Sequence, residues 1–491
     1  MLKKIFLLLT LSTPILTAAE KPNILFFFVD DMGWQDTSVP FHTEVTQLNK
    51  DYRTPNMEKL AENGLMFTNA YACSICSPSR ISLMTGQNAA RHKVTCWTLR
   101  KNVSPERGNK NFSPPEWPFN GLQPIGANVE RTTEATTLPE ILRKNGYRTI
   151  HAGKAHFGAK DTPGADPSNL GFDVNIAGSY MGGPGSYHGD KNFSAKWRGG
   201  GTVWDIPGLE KYHGQKINLT EAITREAISA IEKSVAEKKP FYLYMSHYAV
   251  HAPFEPDRRF LPNYNNEKWN NHKKKYASMI ESMDKSLGDL LTTIDRLGIA
   301  KNTIVIFMSD NGSPRENPRN LPLRAHKISG YEGGTRVPLI IHHNSLTKPK
   351  TRTNTPVIIE DIFPTILEMA GVKEIPKSDG LSMNPILDNT ELDRSKRPLI
   401  WHYPNLYDMP PHSAIRVGDL KLIYWHTNQK IELFDLKNDI GEKQDLAAKR
   451  PEVVSRLAKQ LSDDLRSKKA LMLTNKKTKQ PVPMPDKALS R

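Results

Sequence analysis

Four short, largely apolar runs constrain this chain more than any other feature, because each ends in charged or hydrogen-bonding residues. Residues 24–29 (ILFFFV) run into Asp30-Asp31, and residues 303–308 into Ser309-Asp310-Asn311-Gly312. Residues 148–152 run into Gly153-Lys154-Ala155-His156, and residues 241–245 lead through Ser246-His247 to His251-Ala252-Pro253. Apolar runs without polar alternation predict strands buried on both faces, the habit of a parallel sheet. Helical periodicity lies between them at 137–145, 220–237 and 275–297. The alternation predicts an α/β fold, a mostly parallel central sheet sandwiched by helices. Ligands of such sheets bind beyond the carboxyl ends of the strands. The four runs therefore deliver carboxylates, an amide, a lysine and histidines to one edge.

The character of the chain changes near residue 375. A helix expected at 358–370 stops at Gly371, and a loop with Pro376, Gly380 and Pro385 follows. Short alternating segments at 398–403, 413–417, 420–425 and 431–435 then predict a smaller antiparallel sheet, and 451–465 a closing helix. The Lys- and Pro-rich tail from Arg466 is expected to be loosely held. We place a catalytic domain at 20–390 and a C-terminal subdomain with a basic tail at 391–491. Lys3 and Lys4, a short apolar run and Thr17-Ala18-Ala19 read as a secretory signal peptide over residues 1–19. That run is too short and too interrupted to span a bilayer. An exported protein, periplasmic or secreted and not membrane-spanning, is expected. The formal net charge of +15 favours a polyanionic partner, and export sets nucleic acid aside. Three cysteines, Cys73, Cys76 and Cys96, are too few for a disulfide scaffold.

Asp30, Asp31, Asp310 and Asn311 form an all-oxygen set, the donor chemistry of Ca²⁺ or Mg²⁺ and not of zinc. A lone Asp-Asp pair is more often a cap or a turn. A second acidic strand end makes the metal reading prevail. Lys154, His156 and His251 would each read as loop residues in isolation, and so would Lys327, just before the run Gly330-Tyr331-Glu332-Gly333-Gly334-Thr335-Arg336-Val337-Pro338.

The string Cys76-Ser77-Pro78-Ser79-Arg80, followed by Thr85-Gly86, makes the pattern specific. With PNILFFFVDD, GYRTIHAGKAHFG, HAP, SDNG, GYEGGTRVP and DIFPTIL in order, the chain resembles the type I, formylglycine-dependent sulfatases of the alkaline phosphatase superfamily. The likeness is to exported bacterial polysaccharide and aryl sulfatases, and it spans most of the mature chain. It implies that Cys76 is oxidised to formylglycine by a maturating enzyme and that its hydrate supplies the nucleophilic oxygen. It implies that Asp30, Asp31, Asp310 and Asn311 hold Ca²⁺, in preference to Mg²⁺, with the modified Cys76 completing the site. Arg80, Lys154 and His156 would hold or activate the nucleophile. His251, as general acid, and Lys327 would meet the sulfate on its leaving-group side. His326, next to Lys327 where small residues are common, and His402, in Trp401-His402-Tyr403-Pro404, are candidate substrate contacts. The packing alternative for that aromatic cluster is that it seats the subdomain on the main sheet. The stretch 178–201 is either a substrate-shaping loop or a long insertion. Cys73 and Cys96 either pair or stay free. The implied substrate is a sulfated glycan bearing galactose or hexosamine sulfate. The competing readings are a related phosphomonoester or phosphonate hydrolase, and a non-catalytic sulfated-glycan-binding protein if Cys76 is not matured.

Overall fold

The run Asn23–Val29 (β1) lies in the middle of the main sheet, and each of its residues is buried. Its alternation splits the core in two. Ile24, Phe26 and Phe28 enter one apolar layer, and Leu25, Phe27 and Val29 enter the other. In the computed structural model, which describes residues 21–315, 320–388, 394 and 396–489, eight strands form this sheet. The other seven are Leu65–Phe67 (β2), Arg148–Gly153 (β3), Val174–Ile176 (β4), Phe241–Ser246 (β5), Thr303–Ser309 (β6), Leu339–His342 (β7) and Thr351–Thr353 (β8). Their order is β8-β2-β7-β6-β1-β5-β3-β4, and only β7 runs antiparallel to its neighbours. The signal peptide expected at 1–19 and the domain boundary expected at 390/391 lie outside the described residues.

Helices cover both faces. Cys76–Thr85 (α2), Leu138–Lys144 (α3) and Ile362–Met369 (α6) pack on the layer of Phe26 and Phe28. Pro55–Asn63 (α1), Leu219–Ala236 (α4) and Asn271–Arg296 (α5) pack on the other. Register sets the edge where chemistry can occur. Val29 pairs with Ser309, Phe28 with Ser246, and Gly153 with Ser246, so four strands end level with one another. Gly153 has φ +106, and a Cβ there would lie 1.8 Å from the Ser246 carbonyl oxygen. Only glycine lets β3 turn out at that point and aim Lys154 back across the strand ends.

The C-terminal sheet is an antiparallel meander of Pro398–Tyr403 (β9), His412–Val417 (β10), Leu420–Trp425 (β11) and Ile431–Asp435 (β12). One face, with Ile415, Leu422 and Tyr424, packs on Leu457 and Leu461 of Pro451–Ser467 (α7). The other, with Trp401, Tyr403, Ala414 and Phe434, is continuous with the main core. Trp401 Nε1 donates to the Ala72 carbonyl at 2.9 Å, and buried Lys421 lies 2.8 Å from Glu332 and 3.1 Å from Glu442. The tail corrects the expectation of a loose end. Thr474–Asn475 pairs with Phe112–Ser113, Tyr424 Oη donates to the Pro483 carbonyl, and Leu473 and Val482 are buried. A few apolar anchors among the lysines and prolines suffice to hold it. Among the described residues no helix is long and apolar enough to cross a membrane.

Helix α1 shows how distant elements complete one another. Its N-cap Thr54 makes no side-chain capping bond. Instead Asp284 of α5 accepts from the backbone N–H groups of Asn56 and Met57, at 3.0 and 2.8 Å. Burial pushes this carboxyl up to about 6, against the hydrogen bonds from Asn56 and Met57, which favour its charged form. Asp284→Ala orphans two buried N–H groups, and we expect a loss of about 2 kcal/mol in urea unfolding with secondary structure intact.

Candidate active site

The level strand ends place Asp30 and Asp31 after β1 and Asp310 and Asn311 after β6. Oxygen atoms of the three carboxylates lie within 4.8 Å of one another, and all three residues are buried. Such a cluster is tolerable only with countercharge. Lys154 Nζ lies 2.6 Å from Asp30, Lys327 Nζ 2.5 Å from Asp31, and Arg80 2.8 Å from Asp310. Despite burial, Lys327 and then His251 hold the Asp31 carboxyl below its ordinary range. Burial wins at Asp30 and pushes its carboxyl up, with Asp310 and Asp31 adding to the rise against Lys154. Asp31 has φ +62 and His156 φ +56, left-handed conformations that side chains seldom adopt and that concentrate at functional sites.

The residues fit a hard divalent cation. Asp30 Oδ1 and Asn311 Oδ1 are buried and accept no hydrogen bond, while Asn311 Nδ2 donates to Asp31 Oδ1 at 2.7 Å. Two orphaned oxygens beside three carboxylates are what an oxygen-liganded cation would satisfy.

Cys76 is the first residue of α2, whose N-terminus carries no side-chain cap. Free N–H groups and the helix dipole favour negative charge there. Burial raises the thiol's pKa, with Lys154 and Lys327 opposing. Arg80 lies one turn further along the same helix. It is wholly buried, and its guanidinium donates to Asp310, to the Lys154 carbonyl and to Ser246 Oγ. Arg80 thus holds the carboxylates and the Lys154 backbone in place from beneath.

Above Cys76 lies a cavity of about 210 Å³. Cys76, His156, His251 and Lys327 line it, with Trp97, Trp204 and Tyr407 as aromatic walls. The two histidines present opposite faces. His156 Nε2 donates to the Thr98 carbonyl at 2.7 Å, which leaves Nδ1 as a bare acceptor. Burial, then Lys154, holds this ring far below its ordinary pKa and therefore neutral. His251 Nδ1 donates to the Ala252 carbonyl at 2.8 Å, so its free nitrogen is Nε2, 3.7 Å from Asp31 Oδ2. Burial pushes this ring down to about 4.

Both tentative substrate contacts fall elsewhere. His402 is buried, its Nδ1 engaged with Ser413 Oγ at 2.8 Å and its Nε2 with the Leu471 carbonyl at 2.7 Å. With both nitrogens committed inside the subdomain, it has none for a sugar, and the packing alternative holds for Trp401 and Tyr403. His326 bonds the Lys327 carbonyl at 3.0 Å and does not line the cavity. Cys73 and Cys96 are free thiols.

The sequence reading missed the three aromatic walls and one glycine pair. A Cβ on Gly182 would lie 2.6 Å from the His156 ring, and one on Gly183 2.7 Å from His251 Nδ1. The pair lets one loop press on both rings, so the stretch 178–201 shapes the site. The Gly182-Gly183 doublet was a signal in the sequence, but nothing there linked it to two histidines.

Comparison with known proteins gives a consistent picture. A family model described as "Sulfatase" matches residues 22–372, and one for the C-terminal part of N-sulphoglucosamine sulphohydrolase matches residues 326–470. A sulfatase of Formosa agariphila is 29% identical, aligned over 88% of this chain and 86% of its own. Mouse N-acetylgalactosamine-6-sulfatase is 30% identical, over 90% of this chain and 80% of its own. The crystal structure of Ps i-CgsB with k-i-k-neocarrahexaose superposes with a TM-score of 0.73 at 27% identity, covering 91% of this chain and 93% of that one.

The oxygen cluster predicts a calorimetric result. Ca²⁺ at a hundredfold excess over its Kd should stabilise the protein by about 2.7 kcal/mol, read as a raised Tm. Asn311→Ala should shrink that increment. No rise with either Ca²⁺ or Mg²⁺ would count against the cation site.

Proposed function

The chain belongs to the sulfatase family and is a sulfuric ester hydrolase, and we propose that it cleaves sulfate esters on a carbohydrate, using a formylglycine formed from Cys76 and a bound Ca²⁺. The observation that carries this reading is the placement of Cys76. It opens a helix whose N-terminus faces an all-oxygen donor set and a ring of cations, under a cavity walled by aromatic residues. Asp30, Asp31, Asp310 and Asn311 would hold the cation, which would stabilise negative charge on the nucleophilic oxygen. The hydrated aldehyde would supply that oxygen and a second hydroxyl, whose deprotonation would re-form the carbonyl and break the bond to the sulfated oxygen, releasing sulfate.

The remaining chemistry belongs to the chain's own side chains. His156, which lines the cavity beside Cys76 and is neutral with an unbonded Nδ1, would take a proton from a hydroxyl at position 76. Lys327, which lines the cavity, meets the negative oxygens of the sulfate, and Lys154, wholly buried against Asp30, holds the nucleophile; their fixed positions spare the site any reorganisation as charge shifts. His251 presents Nε2 to the leaving oxygen. Burial keeps its ring neutral, and a sulfate ester at its side would stabilise the imidazolium that protonates the departing alkoxide. Trp97, Trp204 and Tyr407 suit the apolar face of a sugar ring. The similarity to an N-acetylgalactosamine-6-sulfatase supports a galactose- or hexosamine-sulfate glycan as substrate class. The leader-like N-terminus supports export to the periplasm or beyond, and the modification requires a maturating enzyme as partner.

Mass spectrometry of the Cys76 peptide from native material should find an aldehyde in place of the thiol. Full-rate ester cleavage by protein carrying only the intact thiol would sink the mechanism. Cys76→Ala should reduce kcat by about 10³-fold or more, and His251→Ala by about 10²–10⁴-fold, with unchanged Tm. A panel of galactose and hexosamine sulfates tests the carbohydrate reading, and cleavage of aryl sulfates alone would refute it.

A further inference from the structure

Beyond the cavity, the loop that presses on the two histidines carries an exposed aromatic residue among cations. Trp197 is 48% exposed, in a chain where the other tryptophans are buried or half-buried. It sits between Lys196 and Arg198 on one short turn, and both are exposed and form no ion pair among the described residues. Lys191 Nζ covers one face of the indole, 3.7 Å from the ring centroid.

This platform is braced to the catalytic centre. Trp197 Nε1 donates to the Gly185 carbonyl at 3.1 Å, and Gly185 N donates to the carbonyl of Trp204, a cavity wall, at 2.7 Å. The Gly185 peptide therefore lies between the cavity and Trp197. A second route runs through charge. Lys191 lies 2.5 Å from Glu255, whose other oxygen accepts from Ser186 Oγ and Tyr187 N, and Tyr187 Oη reaches the Tyr248 and His251 carbonyls at 2.6 and 2.8 Å. Phe193 and Ala195 are buried and anchor the turn from below. An exposed indole held this firmly, flanked by two uncommitted cations, presents an apolar face and two positive charges side by side.

We propose that Trp197, Lys196 and Arg198 form a second subsite, holding a further sugar of the same sulfated chain whose cleaved residue occupies the cavity. The indole takes the apolar face of the ring, and Lys196 and Arg198 take its sulfate. The assignment rests on the carbohydrate reading above. The charge complementarity is direct, since the chain carries a formal net charge of +15 and the occupant is a polyanion. Such a subsite adds binding to oligosaccharides and nothing to small esters, so it sets chain-length preference.

The test compares hexasaccharides of chondroitin 6-sulfate and of carrageenan with 4-nitrophenyl sulfate, on the full-length matured enzyme. The wild type should bind and cleave at least one hexasaccharide. Trp197→Ala and the Lys196→Ala/Arg198→Ala double variant should each raise its KM by about tenfold with kcat retained. Trp197→Phe should keep most of the affinity, and kcat/KM on 4-nitrophenyl sulfate should not change in any variant. Equal hexasaccharide KM in wild type and Trp197→Ala would overturn the subsite alone. So would a Trp197→Ala variant that changes only the protein's mass in solution, which would make the patch a contact between copies. Cleavage of 4-nitrophenyl sulfate with neither hexasaccharide bound would overturn the carbohydrate reading, and the subsite with it.

Discussion

Arg80 is the interaction on which the site rests. Sheet register drives Asp30 and Asp310 together, because Val29 pairs with Ser309 and the next residue on each strand is a carboxylate. Without countercharge, three buried carboxylates would repel and protonate. Arg80 lies between two of them, 2.8 Å from Asp310 and 3.7 Å from Asp30, and is itself wholly buried. Removing one partner of such a buried pair costs about 3–5 kcal/mol, since the other charge is left uncompensated. Arg80 also sits one helical turn from Cys76. The helix that brings the countercharge therefore sets the position of Cys76, and the two placements cannot vary independently.

The histidines show burial acting on proton affinity. Both rings line one cavity against cations, and burial holds both neutral. Backbone carbonyls then fix the tautomers, Thr98 for His156 and Ala252 for His251. One ring is left with Nδ1 free and the other with Nε2, so two residues of one type present different nitrogens. The C-terminal sheet contributes a wall through Tyr407, which meets Trp97 edge-on at 5.7 Å. Trp401, Tyr403, Trp425 and Phe434 of the same sheet are consumed in seating it on the main core.

Much of this was legible in the chain, for local reasons. Unbroken apolar runs such as 24–29 and 303–308 read as buried parallel strands, and the residues just past the end of a strand in such a sheet face its ligand edge. Asp30, Asp31, Asp310, Asn311, Lys154, His156 and His251 were found that way, Cys76 and Arg80 by their motif. His402 stayed open between a sugar contact and packing, because an aromatic-flanked histidine on a strand looks the same whether it faces a ligand or the Leu471 carbonyl. The tail was misread because lysines and prolines dominate its composition, whereas Leu473 and Val482 decide its fate.

The sequence by itself determined which side chains the strand ends would carry and which cysteine stands at the head of the Cys-Ser-Pro-Ser-Arg motif, because both depend on neighbours along the chain. Only the tertiary structure decided that Arg80 acts from beneath the carboxylates, that Gly182 and Gly183 press on two histidines, and that Trp97, Trp204 and Tyr407 wall one cavity. Those facts depend on close approaches between segments far apart in the chain, at distances where a single methyl group would not fit. No local pattern encodes such contacts.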